Sequence, residues 1–253
     1  MKNLFLCTSL YLLVFFGNFF LLSSHVYGEV LSKDTVWAGK VLLEENILVP
    51  HGITLTVKQN TLVNVKSADS TRTDPEYMSS LTEIIVRGTL HIEGDSVNPT
   101  VFRLDQEEGK DGSWAGIIID GGTASITSST IQDAETGVWI INGKVDILGS
   151  TLQSNRYGLV AQRKNTVVNI ADTVVSANDY GLLALDGASI IQKNIQFIEN
   201  RKQDFQSQPA ADFNFKMKRY TTSSTSKPRE LADDVLQGDT VWEGHILVNG
   251  RPG

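Results

Sequence analysis

Cysteine is nearly absent from this chain, since Cys7 is the only one among 253 residues. It lies near the start of a long apolar run, whereas a lipoprotein attachment site would place a cysteine at the end of such a run. The remainder of the chain has no thiol, which excludes an intrachain disulfide, a cysteine nucleophile and a thiolate metal site. Such a chain depends on its core rather than on covalent cross-links for stability.

Positive charge is also scarce. Lys and Arg number 22 against 29 Asp and Glu, a net charge of −7 that becomes −8 if Lys2 is removed. No dense stripe of Lys and Arg occurs, which argues against nucleic acid as a partner. His51, His91 and His245 are far apart and lack the spacing of a zinc site, so no metal centre is expected. A G-x-S-x-G nucleophile motif is absent as well.

The first 28 residues have the pattern of a secretory signal. Lys2 supplies a positive charge, residues 4–22 form the apolar run, and Val26-Tyr27-Gly28 provides a cleavage site. We therefore expect a secreted protein, or one held in the periplasm or at the cell surface. The apolar run approaches the length of a membrane span, so an uncleaved N-terminal anchor is the alternative, and membrane contact is expected only in that case.

The most informative feature that is present is a repeat. Glycines that each precede a short apolar strand recur at spacings of 21, 21 and 23 residues: Gly116, Gly137, Gly158 and Gly181. A period in the low twenties predicts stacked units. Alternation of period two dominates the chain, and no helical stripe is present. These patterns predict an all-β fold and favour a solenoid of stacked coils over a sandwich.

Alignment of the coils by these glycines places similar residues in register. One apolar column is predicted to face inward: Ile131, Leu152, Val175 and Phe197. A second column is rich in asparagine: Ala134, Asn155, Asn178 and Asn200. Because stacked coils lie about 4.8 Å apart, the amides of such a column can hydrogen-bond to one another. Tyr157 and Tyr180 are likewise predicted to stack as rings.

Residues 34–39 (DTVWAG) and 49–57 (VPHGITLTV), with the Asn-x-Tyr-Gly phrases of the central coils, resemble the bacterial right-handed parallel β-helix repeat proteins. The chain departs from the family pattern at Gln59-Asn60, where Pro-Gly is usual, and at Lys202-Gln203, where Tyr-Gly would recur. The resemblance implies the pectate-lyase-like fold over roughly residues 34–205, and with it we predict an all-β, right-handed single-stranded parallel β-helix of about seven coils. It implies no particular activity, because many members of that family have none known.

The chain is predicted to contain four segments. Residues 1–28 are the signal peptide, 29–205 the β-helix and 206–237 a flexible linker with poor patterning. Residues 238–253 read as the start of a second, truncated β-helix, because Asp239-Thr240-Val241-Trp242 repeats Asp34-Thr35-Val36-Trp37 at an offset of 205. The alternative is a spare strand that folds back on the first module.

One column of charged residues is the candidate catalytic group. Glu135, Arg156, Asp179 and Arg201 share a coil position, with Asp133 and Asp186 nearby in the sequence. A polysaccharide lyase could use Arg156 as a base and Asp179 or Glu135 to hold calcium against an acidic sugar. The charges also alternate in sign, which favours the alternative that they form ion pairs between adjacent coils.

No cofactor is expected, although one loop is a candidate for weak calcium binding. This loop contains Asp105, Glu107, Glu108 and Asp111. It lacks the residue spacing of a known calcium-binding loop. We therefore interpret it as a solvated loop between coils.

The glycine-led strands predict an apolar stripe on an outer face. If alternate residues point inward, then Ile118, Trp139, Val160 and Leu183 point outward. With Tyr157 and Tyr180, these residues are the candidate binding surface for sugar rings or for a protein. The alternative is that the chain's own C-terminal part covers the stripe, through Phe213, Phe215 or the strand around Trp242.

Two functions remain open from the sequence. The first is an exported, non-catalytic β-helix that acts as a cell-envelope or extracellular scaffold or binding module for a polysaccharide or an envelope protein. The second is a polysaccharide lyase or glycoside hydrolase acting on an outer face of the β-helix. Only analogy of fold supports the second, and such analogy is weak evidence for an activity.

Overall fold

The computed structural model describes residues 24–26, 29–67, 81–105, 113–210, 229–231 and 246–248. These residues form strands and turns without a helix, and successive passes of the chain add parallel strands to the same sheets. The predicted all-β class and the parallel β-helix are confirmed. Since the described residues contain no helix, none of them forms an apolar helix long enough to cross a membrane.

Three faces run along the stack. The first face contains eight strands, which in stacking order are β1 (Ser24–Val26), β4 (Lys40–Leu43), β7 (Leu62–Val65), β10 (Thr100–Leu104), β12 (Ser129–Gln132), β14 (Thr151–Gln153), β17 (Val174–Ser176) and β20 (Gln196–Ile198). The third face contains β3 (Thr35–Trp37), β6 (Thr54–Lys58), β9 (Thr89–Glu93), the second parts of β11 (Gly116–Thr127) and β13 (Thr136–Leu148), β16 (Val167–Ala171) and β19 (Ser189–Lys193).

The second face lies between the other two along the chain. It contains β2 (Glu29–Val30), β5 (Ile47–Val49), β8 (Glu83–Val86), the first parts of β11 and β13, β15 (Tyr157–Gln162), β18 (Tyr180–Leu185) and β21 (Gln203–Gln208). Because β11 and β13 bend without ending, they join the second face to the third. The faces thus hold eight, eight and seven strands, close to the number of coils expected from the sequence.

The core is a set of stacked inward columns. In the first face, Ile131, Leu152 and Val175 are fully buried and pair in register, and half-buried Phe197 ends the column. The repeating glycines are needed because the next coil passes very close to them. A Cβ atom on Gly158 would lie 2.7 Å from the carbonyl oxygen of Gly181. Side chains at this position would therefore push adjacent coils apart.

Strand β1 falls inside the segment that the sequence predicts to be a signal peptide, and β21 extends to Gln208. The segment boundaries proposed from the sequence therefore stay predictions. Most of the predicted linker and of the predicted second module lies outside the described residues.

A short strand pair is described within the C-terminal part. Strand β22 (Arg229–Leu231) pairs in parallel with β23 (Ile246–Val248), with Arg229 in register with Ile246 and Leu231 in register with Val248. At the N-terminal end of the stack, β1 of the first coil pairs with β4 of the second, with Ser24 in register with Val41. Both partners are shifted by the same 205 residues that relate the two Asp-Thr-Val-Trp sequences. The opening strand pair of the β-helix therefore recurs in the same register.

Candidate functional site

The charged column lies at one edge of the stack, which we call the first corner. It consists of the turns that lead from the first face to the second in the last four coils: residues 133–135, 154–156, 177–179 and 199–202. Each turn contains one non-glycine residue in the left-handed region, with φ of 62° at Asp133, 55° at Ser154, 54° at Ala177 and 53° at Glu199. This sharp bend aims the following side chain into the stack.

The side chain that follows the bend is asparagine in three of the coils. The Nδ2 of Asn155 donates to the Oδ1 of Asn178 at 3.2 Å, and the Nδ2 of Asn178 donates to the Oδ1 of Asn200 at 3.0 Å. The backbone N–H of Asn155 also donates to the Oδ1 of Asn178 at 2.9 Å. The predicted asparagine column is confirmed, and it satisfies buried backbone groups that the turn would otherwise leave without partners.

The charged side chains of the first corner form ion pairs between coils. Arg156 Nη1 lies 2.5 Å from Glu135 Oε1, and Arg201 Nη1 lies 3.2 Å from Asp179 Oδ1. Lys202 Nζ adds a contact at 3.8 Å to the other oxygen of Asp179. The alternating charges therefore form the ion pairs between coils that the sequence analysis gave as the alternative to a catalytic group. Glu135 and Asp179 each have a cationic partner.

Two aromatic rings support these pairs. Tyr157 and Tyr180 stack with their ring centroids 5.2 Å apart and their planes 13° apart, as predicted. The guanidinium of Arg156 lies 5.2 Å from the centroid of Tyr157, and the ammonium of Lys202 lies 4.9 Å from that of Tyr180. Arg156 and Lys202 therefore each contact both an aromatic ring and a carboxylate.

The electrostatics of the first corner oppose a role for Arg156 as a base. Burial acts to lower the pKa of the Arg156 guanidinium, but the charge of Glu135, with smaller contributions from Tyr157, the hydrogen bond to Glu135 and Asp179, outweighs burial and raises that pKa above its ordinary value. Burial is also the main cause that raises the pKa of Tyr157, against the opposing charge of Arg156. Arginine thus stays charged and tyrosine neutral at physiological pH, and neither is prepared to remove a proton.

The structure does not bring all the acidic candidates together. Asp133 lies in the first corner and accepts from the Nε2 of Gln132 at 2.9 Å. Asp186 follows β18 at its far end, where it accepts from the backbone N–H of Ala210 at 2.8 Å. A six-residue strand separates it from Asp179, about 20 Å along the second face. The first corner therefore holds no carboxylate pair that includes Asp186.

The apolar stripe has the predicted orientation. Ile118, Trp139, Val160 and Leu183 pair in register along the second face and belong to a cluster separate from the main core. All four side chains are buried, and Trp139 is only 3% exposed. The Nε1 of Trp139 donates to the Oε1 of Gln162 at 2.8 Å.

Burial of the stripe favours the interpretation that the chain covers its own apolar surface. The residues proposed as the cover, Phe213, Phe215 and Trp242, lie outside the described residues. Binding of a partner by the stripe stays a prediction, and it requires these buried side chains to become accessible. Tyr157 is buried with the stripe, whereas Tyr180 is half-buried and lies at its margin.

The described residues contain no group of three or more His, Cys, Asp or Glu side chains placed to hold a metal ion. Of the loop proposed for calcium, only Asp105 is described. His51 and His91 are both exposed, and they belong to different coils of the stack.

Sequence reasoning missed two contributors to this region. One is Lys202, which reaches Asp179 because the last coil has one extra residue between its asparagine and the next strand. Asn178 precedes Tyr180 by two residues. Asn200 precedes Gln203, the strand partner of Tyr180, by three. That insertion is visible in the sequence. Gln162, which binds Trp139, follows from the register of β13 and β15 alone, and no motif marks it.

Comparison of the chain with protein-family models, with curated proteins and with solved structures finds no match.

Proposed function

We propose that this chain is an exported, non-catalytic β-helix protein of the right-handed, pectate-lyase-like kind, which acts as a scaffold or binding module outside the cytoplasm. The family assignment rests on the sequence resemblance and on the stacked parallel sheets. Export rests on the pattern of residues 1–28.

The observation that carries the non-catalytic proposal is the pairing of the candidate groups. Glu135 is paired with Arg156, Asp179 is paired with Arg201 and Lys202, and the pKa of Arg156 is raised. A catalytic base has a pKa near the working pH and is able to reach a substrate proton. These groups instead stabilise adjacent coils against one another.

The outer side of the first corner is the surface best suited to a ligand. The side chains of Arg201 and Lys202 are 77% and 53% exposed, and Lys202 lies against the half-buried ring of Tyr180. Exposed cations beside an aromatic ring suit a glycan that carries acidic groups, despite the acidic character of the whole chain. We therefore propose an acidic polysaccharide as the ligand, with an envelope protein as the alternative partner.

The test uses the full chain against a panel of acidic and neutral polysaccharides, with and without calcium. Retention on the polysaccharide is measured together with the release of unsaturated products and of reducing ends. We expect retention of an acidic polysaccharide without turnover. Turnover of any substrate would contradict the non-catalytic proposal and would favour a lyase or hydrolase.

Matched variants locate the binding surface. Lys202→Ala and Arg201→Ala are expected to weaken retention several-fold, because each removes an exposed cation from the first corner. Lys164→Ala removes an exposed cation from a turn elsewhere in the stack and is expected to leave retention unchanged. Equal effects of all three substitutions would show that retention depends only on general charge, and absence of retention would favour a protein partner.

A further inference from the structure

Apolar surface is concentrated at the two ends of the stack. Five of the seven exposed large hydrophobic side chains among the described residues lie on first or last strands of a face: Val30, Val36, Ile191, Ile198 and Phe205. The first two belong to the N-terminal end and the other three to the C-terminal end. Exposed apolar residues confined to particular surfaces indicate contact sites.

One outward-facing column shows the same concentration of apolar residues at the two ends. In the third face, Val36 and Ile191 are the first and last members of a single column in register. The five members between them are polar: Thr56, His91, Ser125, Asp146 and Asn169. Val36 is 59% exposed and Ile191 is 55% exposed. The column is therefore apolar only at the two positions where the stack ends.

The last strands also carry backbone groups that point away from the stack. In β19 the backbone N–H of Ser189 donates to Thr166 and the carbonyl of Lys193 accepts from Asp172, so alternate residues face β16. By the alternation of a parallel ladder, the N–H groups of Ile190 and Gln192 point to the open side. Among the described residues, no strand pairs with the outer edge of β19, β20 or β21.

The inner columns are open at this end as well. Phe205 ends a column of the second face that contains Leu159 and Leu182, and it is 38% exposed whereas they are buried. Strands β1, β2 and β3 have one described partner each, so the outer edges at the N-terminal end also lack a described strand partner. Unpaired edges of this kind are templates for another strand.

From these observations we propose that copies of this chain associate head to tail, with the C-terminal end of one β-helix stacked on the N-terminal end of the next. The occupant of the open end is the opening coil of a second copy. Both ends have the same three-sided arrangement and the same strand direction, so β19 of one copy pairs in parallel with β3 of the other. Ile191 and Val36 then become neighbours, and the exposed apolar positions of this column are buried.

The recurrence of the opening strand pair in β22 and β23 supports this order of coils. The chain itself carries an opening coil sequence after its last coil, at a constant offset of 205 residues. Such a heterologous contact does not close on itself, so it generates chains of molecules rather than only dimers. The junction between β19 and β3 does not involve residues 1–28.

The direct test is disulfide cross-linking in the full chain carrying Cys7→Ser. Protein with Val36→Cys is mixed with protein with Ile191→Cys under oxidising conditions, and the products are separated without reductant. We expect a mixed disulfide dimer, because stacked partners would lie about 5 Å apart, within reach of a disulfide. Within one copy the two positions are six strand spacings apart, about 29 Å, so an intramolecular bond is excluded.

The control is Val97→Cys, a more exposed position away from both ends of the stack. It is expected to form no comparable dimer with either partner. Equal cross-linking of the control, or a monomer at every concentration by sedimentation velocity, would overturn the proposal. So would an intramolecular disulfide between Ile191→Cys and Val241→Cys, because Val241 is the counterpart of Val36 and the chain's own C-terminal part would then be the occupant.

A second set of variants distinguishes loss of the junction between copies from loss of the fold. Gln192→Pro removes an outward-pointing N–H and is expected to reduce association, whereas Gln192→Ala keeps that group and is expected to associate as the parent does. Ile191→Lys is expected to abolish association, and mixing it with Val36→Glu is expected to restore association. Recovery by an opposite charge cannot arise from misfolding, and failure of both parts would contradict head-to-tail stacking.

Discussion

At the scale of the single residue, Asn178 joins its own coil to the coils before and after it. Its Oδ1 accepts from the backbone and from the side chain of Asn155, and its Nδ2 donates to Leu152 and Asn200. Asn178→Ala is expected to lower the free energy of unfolding by about 2–4 kcal/mol, because each buried group left without a partner costs about 1–3 kcal/mol. Asn200→Ala, at the half-exposed end of the column, is expected to lower the free energy of unfolding by a smaller amount. Denaturant unfolding checks both, and equal losses would contradict this account.

A second prediction at this scale concerns alkaline pH. The pKa of Tyr157 is raised in the folded chain, mainly by burial. Its stabilising contribution is therefore fully present below the unfolded pKa of about 10 and is lost as the pH rises through the higher folded value. We expect the free energy of unfolding to fall above about pH 10, and Tyr157→Phe to reduce that fall while keeping the ring stack. An unchanged pH profile in the variant would exclude Tyr157 as the cause.

At the scale of the turn and the strand, the left-handed residues of the first corner offer a stabilising substitution. Ala177 is exposed and has a φ of 54°, a conformation that costs an ordinary residue about 1–2 kcal/mol. Asparagine tolerates this region, so Ala177→Asn is expected to stabilise the chain by about 0.5–1 kcal/mol. Ala171→Asn, in strand β16, is the control and is expected to give no gain. A fall in the melting temperature of Ala177→Asn would contradict this reading of the turn.

The glycine-led strands give a prediction about the spacing of the coils. Gly158→Asn is expected to destabilise the chain by about 3 kcal/mol, because even a Cβ atom at this position would lie 2.7 Å from a backbone oxygen. Gly52→Asn provides the matched control, since Gly52 has open space around it and a φ of 80° that asparagine can adopt. Thermal unfolding compares the two variants. Similar losses would show that coil spacing does not depend on Gly158.

The elements also differ in how far the sequence predicts them. The glycine period, the asparagine column and the stacked tyrosines repeat at one coil position, so their contacts follow from a single alignment. The left-handed bends cannot be predicted from that alignment. Asp, Ser, Ala and Glu occupy them, so no residue type marks this position of the coil. Whether Trp139 is exposed or covered by the chain itself stays open from the sequence, since alternation places a side chain outside a sheet without indicating whether another segment covers it; the structure buries it.

At the scale of the whole molecule, the same stacking that organises the coils also shapes the two ends. The polar column between Val36 and Ile191 keeps the third face compatible with water over its length, and its apolar ends mark where pairing can continue. The sequence contains both residues, but their shared column emerges only from the register of seven strands. Arg201 and Lys202 belong to the last coil, between β20 and β21, so the proposed ligand surface borders the C-terminal end that the junction uses. Different residues test the two proposals: Ile191 and Val36 test association, and Arg201 and Lys202 test polysaccharide retention.

We propose that the charged column joins adjacent coils and performs no chemistry. The most direct measurement compares the parent chain with Arg156→Ala for both thermal unfolding and polysaccharide turnover. We predict a lower melting temperature in the variant, because Glu135 is almost fully buried and loses its cationic partner, and no turnover by either protein. Turnover by the parent that disappears in a variant of unchanged melting temperature would contradict the account.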